Sequence, residues 1–294
     1  MKHLPTSDTR ALCKKKEVSD LMTDGLSVGA LLRRAVQQMR RLPPHSLPEQ
    51  FETAQDLEPC DWAERFILIA TTQRSGSHFL GHMLRETEEY GVPLEYLNPR
   101  NAKFWCRRFG TEDLNELFPH FVRLRTSANG TFCLKAHWGH FSPFREKIGE
   151  LTRNKGFEKV VWLVRRNQLA QAISYVIASQ TRSFVSGAPE RRPAVYDYSA
   201  IVARAEKFRQ VNLSWQQYLC SEYPERHYRI VYEDLVGDVG NRRADLQEFL
   251  GGAKMLRPSP RIMSQRTERN TQWSERFRAE VRDEHAWILT DAGW

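Results

Sequence analysis

Three groups of residues in this 294-residue chain have types and spacings that could handle an anion or a proton. The first is Gln73-Arg74-Ser75-Gly76-Ser77-His78, which follows the apolar run Phe66–Thr71 and opens the amphipathic stretch Ser77–Glu86. A turn between a buried strand and a helix is where open α/β sheets hold phosphate. The first N–H groups of the helix lack intrahelical acceptors and carry the positive end of its dipole. Gly76 lets the backbone approach an oxyanion, Ser75 and Ser77 add hydroxyl donors, and Arg74 adds a permanent charge. The pattern G-x-x-x-x-G-K-[ST] is not met, because its first Gly and its Lys-Ser/Thr pair are missing. On its own, Ser77 would read as a helix cap and Arg74 as a surface charge.

The second group is Arg165-Arg166 at the end of the run Lys159–Val164, with Ser174 eight positions beyond Arg166. At ~3.6 residues per turn, a serine two turns into a helix and an arginine at its mouth can meet on one phosphate. The third is His227–Val231 followed by Tyr232-Glu233-Asp234-Leu235, a strand with an acidic helix entry, and Glu95, Lys135, His137 and His140 are single candidates outside these groups. Taken singly these are ordinary: a solvated carboxylate in line with Glu88 and Glu89, a structural lysine, and imidazoles without a ligand.

The elements that must position these groups are short apolar runs alternating with helical patterns. Phe66–Thr71, Thr131–His137, Lys159–Val164 and His227–Val231 read as strands. Ser77–Glu86, Asn167–Thr181 and Tyr198–Glu222 read as helices, the last with Val202, Ala205, Phe208, Val211, Trp215 and Leu219 on one stripe. Strands that are apolar throughout are buried on both faces, which predicts a parallel sheet between helix layers, an α/β three-layer sandwich. Residues 1–60 read as an N-terminal helical extension and linker, and 61–294 as one domain. In the extension, Leu26, Val28, Leu31, Leu32, Val36 and Met39 recur at helical spacing beside Arg33, Arg34, Arg40 and Arg41. Such a basic amphipathic helix packs on the domain or lies on a membrane surface.

The formal charge of +8 favours an anionic partner, whether nucleotide, nucleic acid, sugar phosphate or acidic membrane. The five cysteines are odd in number and widely spaced, which argues against structural disulfides and structural zinc. No apolar stretch approaches the ~20 residues of a spanning helix, and Met1-Lys2-His3 opens no signal peptide. A cytoplasmic protein is expected, with contact at the inner membrane left open.

Taken together, Gln73-Arg74-Ser75-Gly76-Ser77, the spacing Arg166 to Ser174 and Tyr232-Glu233-Asp234-Leu235 resemble PAPS-dependent sulfotransferases, PAPS being 3′-phosphoadenosine 5′-phosphosulfate. Within these, the chain resembles the bacterial trehalose 2-sulfotransferase family. The further stretches that carry the resemblance are Gly91-Val92-Pro93-Leu94-Glu95-Tyr96, Lys135, Gln180-Thr181-Arg182, and Gln265 through Trp273 to Phe277. They span about residues 66–278. The resemblance implies a P-loop-like fold, PAPS as co-substrate without a metal, and a carbohydrate or glycolipid hydroxyl as acceptor. It implies Glu95 as base, on a turn or edge segment above the loop, its pKa raised by desolvation. Arg74 would hold the sulfuryl oxygens. The loop Gln73–His78 would take the 5′-phosphate, Arg166 and Ser174 the 3′-phosphate, and Trp273 with Arg269 and the polar loop before it the adenine. Glu95, Tyr96 and Arg182 would face the acceptor, with Arg100, Lys103, Trp105, Arg107 and Arg108 lining its cleft. Two positions depart from the pattern. His78 stands where the family has Thr, and Val92 where the trehalose enzymes carry a second acidic residue, so trehalose itself is not the acceptor implied. A homodimer is compatible with all of this.

The residues alone leave two rivals. A small-molecule kinase also needs a strand-loop-helix phosphate site, with Glu233-Asp234 as its metal ligands. A nucleic-acid-binding protein would account for the charge, although the basic residues are dispersed, and nucleic acid is not the expected partner.

Overall fold

The computed structural model describes residues 48–184, 189–258 and 267–290. The basic helix expected within residues 26–39, and Gln265, lie outside them. Four strands, β1 (Arg65–Thr71), β2 (Thr131–His137), β3 (Lys159–Val164) and β4 (His227–Val231), form one sheet in the order β2-β1-β3-β4. Every pairing is parallel. The chain leaves β1 to one side for β2 and reaches β3 on the other, so the crevice of the sheet opens at the C-terminal end of β1.

The apolar strands divide their side chains between two cores. Phe66, Leu68 and Ala70 pack with Phe132, Leu134, Trp162 and Trp215, while Ile67 and Ile69 pack with Leu80, Met83, Leu163 and Leu235. Burial on both faces explains why polar residues do not alternate along β1 and β3. The edge strand β4 is the exception, with Arg229 exposed.

The longer helices are α1 (Ser77–Glu86), α2 (Pro99–Phe109), α3 (Leu114–Arg125), α4 (Gln168–Thr181), α5 (Tyr198–Glu222), α6 (Tyr232–Gly237), α7 (Arg242–Leu250) and α8 (Glu268–Glu280). Asn167 is the cap of α4 rather than its first residue, its side chain accepting from the Ala170 N–H. A third core joins α4, α5 and α8 through Ile173, Val202, Ala205, Trp273 and Phe277. The polar segment before Trp273 is therefore not an open loop. Thr267 caps α8 and Glu268–Gln272 are its first turns, because Asn270 closes a capping box on Thr267.

Gly76, the N-cap of α1, has φ of 89°, and a Cβ built there would lie 2.0 Å from the Tyr232 ring. Gly110 has φ of 73°, with nothing within 4 Å of such a Cβ. Gly110→Ala should thus lose only the left-handed preference, about 1 kcal/mol. Gly76→Ala should cost clearly more in chemical denaturation, and Gly76→Ala in a Tyr232→Ala background should recover part of the difference.

Candidate active site

The turn after β1 is held by its carbonyl groups. Trp215 of α5 donates through Nε1 to the Thr71 carbonyl at 3.0 Å, and Ser75 Oγ donates to the Thr72 carbonyl at 2.8 Å. Gln171 of α4 donates to the Gln73 carbonyl at 2.7 Å, and Arg165 to the Arg74 carbonyl at 2.9 Å. In a trans peptide the N–H points opposite the C=O, so this stretch turns its N–H groups away from its anchors. Arg74 at φ 61° and Gly76 at φ 89° flank Ser75, the alternation of backbone hand that gathers N–H groups into an anion-binding concavity. The next N–H groups belong to the first turn of α1, where the dipole adds its sign. The Ser75 hydroxyl, expected as a phosphate donor, is instead buried in the turn on Thr71 and Thr72. What Ser75 can offer an anion is its backbone N–H.

Arg74 occupies the left-handed region despite its side chain, at a cost of roughly 1 kcal/mol. Its guanidinium spans the site, donating to Ser174 Oγ at 2.9 Å and to the Phe184 carbonyl at 2.8 Å. Burial, and then the neighbouring Arg165, lower its pKa to about 10, so it stays a cation at neutral pH. Ser174 is thus brought to Arg74 and not directly to Arg166. Arg166 is gripped by Asp234, with Nη2 at 2.6 and 2.7 Å from the two carboxylate oxygens, and its backbone N–H donates to Glu233. Arg165 also lies 3.4 Å from Glu233 and over the Tyr232 ring. The Tyr232-Glu233-Asp234 motif therefore orients the arginines at the end of β3. Arg229 of β4, which sequence reasoning missed, feels both Arg166 and Asp234.

Glu95 reaches the other side of the turn along an edge segment, as expected. Leu94 makes a parallel bridge to Leu134, and the Lys135 N–H donates to the Leu94 carbonyl at 3.0 Å. Its neighbour Glu95 then meets the side chains at the end of β2. Glu95 Oε1 is 3.5 Å from Lys135 Nζ and 3.2 Å from His137 Nε2. Oε2 accepts from Asn98 Nδ2 at 2.8 Å and lies 4.0 Å from His140 Nδ1. Burial alone would raise the Glu95 pKa, but His137 and Lys135 overcome it and hold the carboxyl well below the usual range. The raised pKa expected of a desolvated carboxylate is therefore reversed by its cationic company. His78 of α1 looks into the same cluster: the Lys135 charge, with burial, lowers its pKa to about 3. A neutral imidazole stands where Thr was expected.

Several expected site residues belong elsewhere. Tyr96 points opposite to Glu95, into the core, stacked on Phe121 with its hydroxyl donating to the Val92 carbonyl at 2.6 Å. Trp105 is buried beside it, and Arg108 is bound to Asp56, so neither lines a cleft. Arg100 does face the site, close enough to act on His140 and Tyr175. Lys103 lies over the Phe104 ring, and Arg107 is exposed. Arg182 is the exposed C-cap of α4. Trp273 is 7% exposed and meets Tyr196 edge-on in the third core, so its ring packs α8 rather than offering an open stacking face. Arg269 is paired with Glu190 at 2.8 Å.

The buried imidazoles fix a pH dependence. Burial, and then His137, lower His140 to about 4. His78 and His140 are thus neutral in the folded protein, whereas the unfolded chain takes up a proton at each near pH ~6.5. Their stability contribution is present above that value and is lost as pH falls from there towards their folded pKa values. The melting temperature should fall between pH 7 and 5, and His78→Gln with His140→Gln should flatten that slope. Glu95 acts oppositely in level: its contribution is complete above the ordinary carboxylate range and is lost only below it, so Glu95→Gln should leave the slope between pH 7 and 5 unchanged.

The model of the Stf0 sulphotransferase family matches residues 66–280. Trehalose 2-sulfotransferase of Mycobacterium tuberculosis (strain ATCC 35801 / TMC 107 / Erdman) is 25% identical over 264 residues, covering 74% of this chain and 96% of that protein. Among solved structures, the sulfotransferase domain of the Synechococcus PCC 7002 olefin synthase matches with a TM-score of 0.42 and 15% identity, over 77% of this chain and 99% of that one. The sulfotransferase domain of the curacin biosynthetic pathway matches with a TM-score of 0.39 and 16% identity, over 77% and 83%. The kinase reading thereby falls away, and with the turn, the paired arginines and Glu95 on one crevice of a P-loop-like α/β sheet, the chain belongs to the Stf0 sulphotransferase family.

Proposed function

We propose that the protein transfers the sulfuryl group of PAPS to a hydroxyl of a carbohydrate or glycolipid, with Glu95 as the base. The observation that carries this reading is a largely buried, ionised carboxylate beside a turn whose carbonyl groups are anchored from behind, which turns its N–H groups to one side. The residues suit the donor: the turn with Arg74 fits the 5′-phosphosulfate, and Arg166 with Arg229 fits the 3′-phosphate. In the transfer, the acceptor oxygen forms its bond to sulfur as the bond from sulfur to the 5′-phosphate oxygen breaks, and the acceptor proton goes to Glu95. The acceptor hydroxyl becomes acidic as its bond to sulfur forms, so a carboxylate of low proton affinity can still take the proton late in the step. Arg74 and the turn hold the charge that grows on the leaving phosphate. Arg100 and Lys135 beside one carboxylate favour an acceptor that itself carries negative charge. We place the reaction in the cytoplasm, and no helix among the described residues is long and apolar enough to cross a membrane.

Calorimetry with 3′-phosphoadenosine 5′-phosphate tests the donor, and no binding at millimolar ligand would end this reading. Arg166→Ala should weaken it by about 1.5–3 kcal/mol, the range for a charged hydrogen bond. That variant should also lose most of its preference for ligands that carry the 3′-phosphate. In a mixed-acceptor assay, labelled sulfate should appear on glycans, and most on anionic ones. Label on phenols or amines alone would refute the acceptor class.

Glu95→Gln should lower turnover by ~10²–10⁴ while affinity for the nucleotide stays near wild type. It should also lower the melting temperature, because Lys135, 2% exposed, loses its counter-charge. Since Glu95 stays ionised to well below the ordinary carboxylate range, wild-type turnover should show no acid limb near pH ~4.5 from this group. Turnover of Glu95→Gln within a few-fold of wild type would remove Glu95 from the chemistry.

A further inference from the structure

One face of α4 carries Leu169, Ala172, Ile173 and Val176 into the core with α5 and α8, and its other side, turned to the end of β1, buries Gln171, 1% exposed. A buried amide among apolar neighbours is costly unless its hydrogens are used. Both are: Nε2 donates to Thr72 Oγ1 at 2.8 Å and to the Gln73 carbonyl at 2.7 Å. These two acceptors belong to successive residues at the point where β1 ends and the turn begins. Gln73 also precedes Arg74, the residue that must adopt φ of 61°.

We propose that Gln171 is a positioning residue that sets the anion-binding turn, deepening the reading of that turn as the seat of the 5′-phosphate. With the Gln73 carbonyl drawn towards α4, the N–H of the same peptide, that of Arg74, turns into the concavity. The amide also fixes the Thr72 side chain, so the departure of the chain from β1 is set at two points. Arg74 then enters the left-handed region with its carbonyl already claimed by Arg165 on the far side. The turn is in this way built before any anion arrives, and its N–H groups need no reorganisation to meet one. Gln171 makes no contact with the reacting atoms, so its effect acts only through the turn.

The test uses Gln171→Met, which keeps the volume, and Gln171→Glu, which keeps the shape but replaces both donated hydrogens with an oxygen. Circular dichroism and melting establish that each variant is folded, and should either fail to fold, the other decides. Affinities are measured for pyrophosphate, 3′-phosphoadenosine 5′-phosphate and adenosine 3′-monophosphate. Both variants should bind pyrophosphate about tenfold more weakly, the size of one lost hydrogen-bonding role. The preference for the bisphosphate over the 3′-monophosphate should shrink by a similar factor, with the 3′-monophosphate bound nearly as in wild type. A merely structural glutamine would lower affinity for both nucleotides alike. Unchanged pyrophosphate affinity in folded variants overturns the proposal, as does a wild-type protein that binds no anion at the turn. A wild type that binds pyrophosphate but neither nucleotide refutes the sulfuryl-donor reading instead, while loss of pyrophosphate on substitution still supports the role of Gln171.

Discussion

The molecule is organised around the orientation of a few peptide groups at the C-terminal end of β1. An oxyanion cradle needs N–H groups facing one way, and a buried carbonyl facing the other way needs a donor. The donors come from four directions: Trp215 on α5, Gln171 on α4, Arg165 after β3, and Ser75 within the turn. The Tyr232 ring closes over Gly76 and leaves no room for a side chain there. The placing of α4 and α5 on one face of the sheet, and of β4 with α6 beside β3, can be read as what brings these donors to one turn. The parallel sheet is the frame that allows it, since parallel strands deliver all their C-terminal ends to one edge.

A second constraint is charge. Arg74, Arg165, Arg166 and Arg229 converge on the ends of β1, β3 and β4, opposed by Glu233 and Asp234. On the other side of β1, Lys135, His137 and His140 surround Glu95. The arginine cluster holds more cations than carboxylates, so bringing a polyanion to the crevice relieves repulsion between the arginines while keeping their anchoring acids. The Lys135 charge, with burial, suppresses proton uptake by His78, and burial, then His137, does so at His140, which keeps both as neutral hydrogen-bonding groups.

How much of this was legible in the sequence follows from which physical signals are local. The strands were, because apolar runs such as Lys159–Val164 report burial on both faces directly, and β2, β3 and β4 agree with the reading at both ends. The turn after β1 was legible as a strand-turn-helix junction containing Gly76. Side-chain direction was not. Tyr96 and Glu95 are adjacent and face opposite ways, and only the bridge of Leu94 to β2 decides which of them meets Lys135. The bulky Trp105, Trp273 and Tyr96 read as ligand contacts but fill cores, because large aromatic surfaces serve both ends equally well. Gln171 and Trp215 carried no signal for the turn, since their partners are 98 and 144 residues away.

The pKa of Glu95 shows why residue type and burial together still do not determine chemistry. A desolvated carboxylate on its own binds a proton more tightly, which suits a base. Here the carboxylate is desolvated among cations, and Lys135 on β2 needs it as a counter-charge as much as a substrate needs it as a base. The arrangement favours the ionised form in the resting protein, so under the proposed mechanism the acceptor hydroxyl meets a group already able to receive a proton. The cost is a weak pull on that proton before the bond to sulfur begins to form. Under the proposed mechanism, polarisation of the sulfuryl group by Arg74 and the turn supplies the driving force first, and proton transfer follows it. In the proposed reading, the turn at the end of β1 and the carboxylate of Glu95, held against the end of β2, take complementary parts in one crevice.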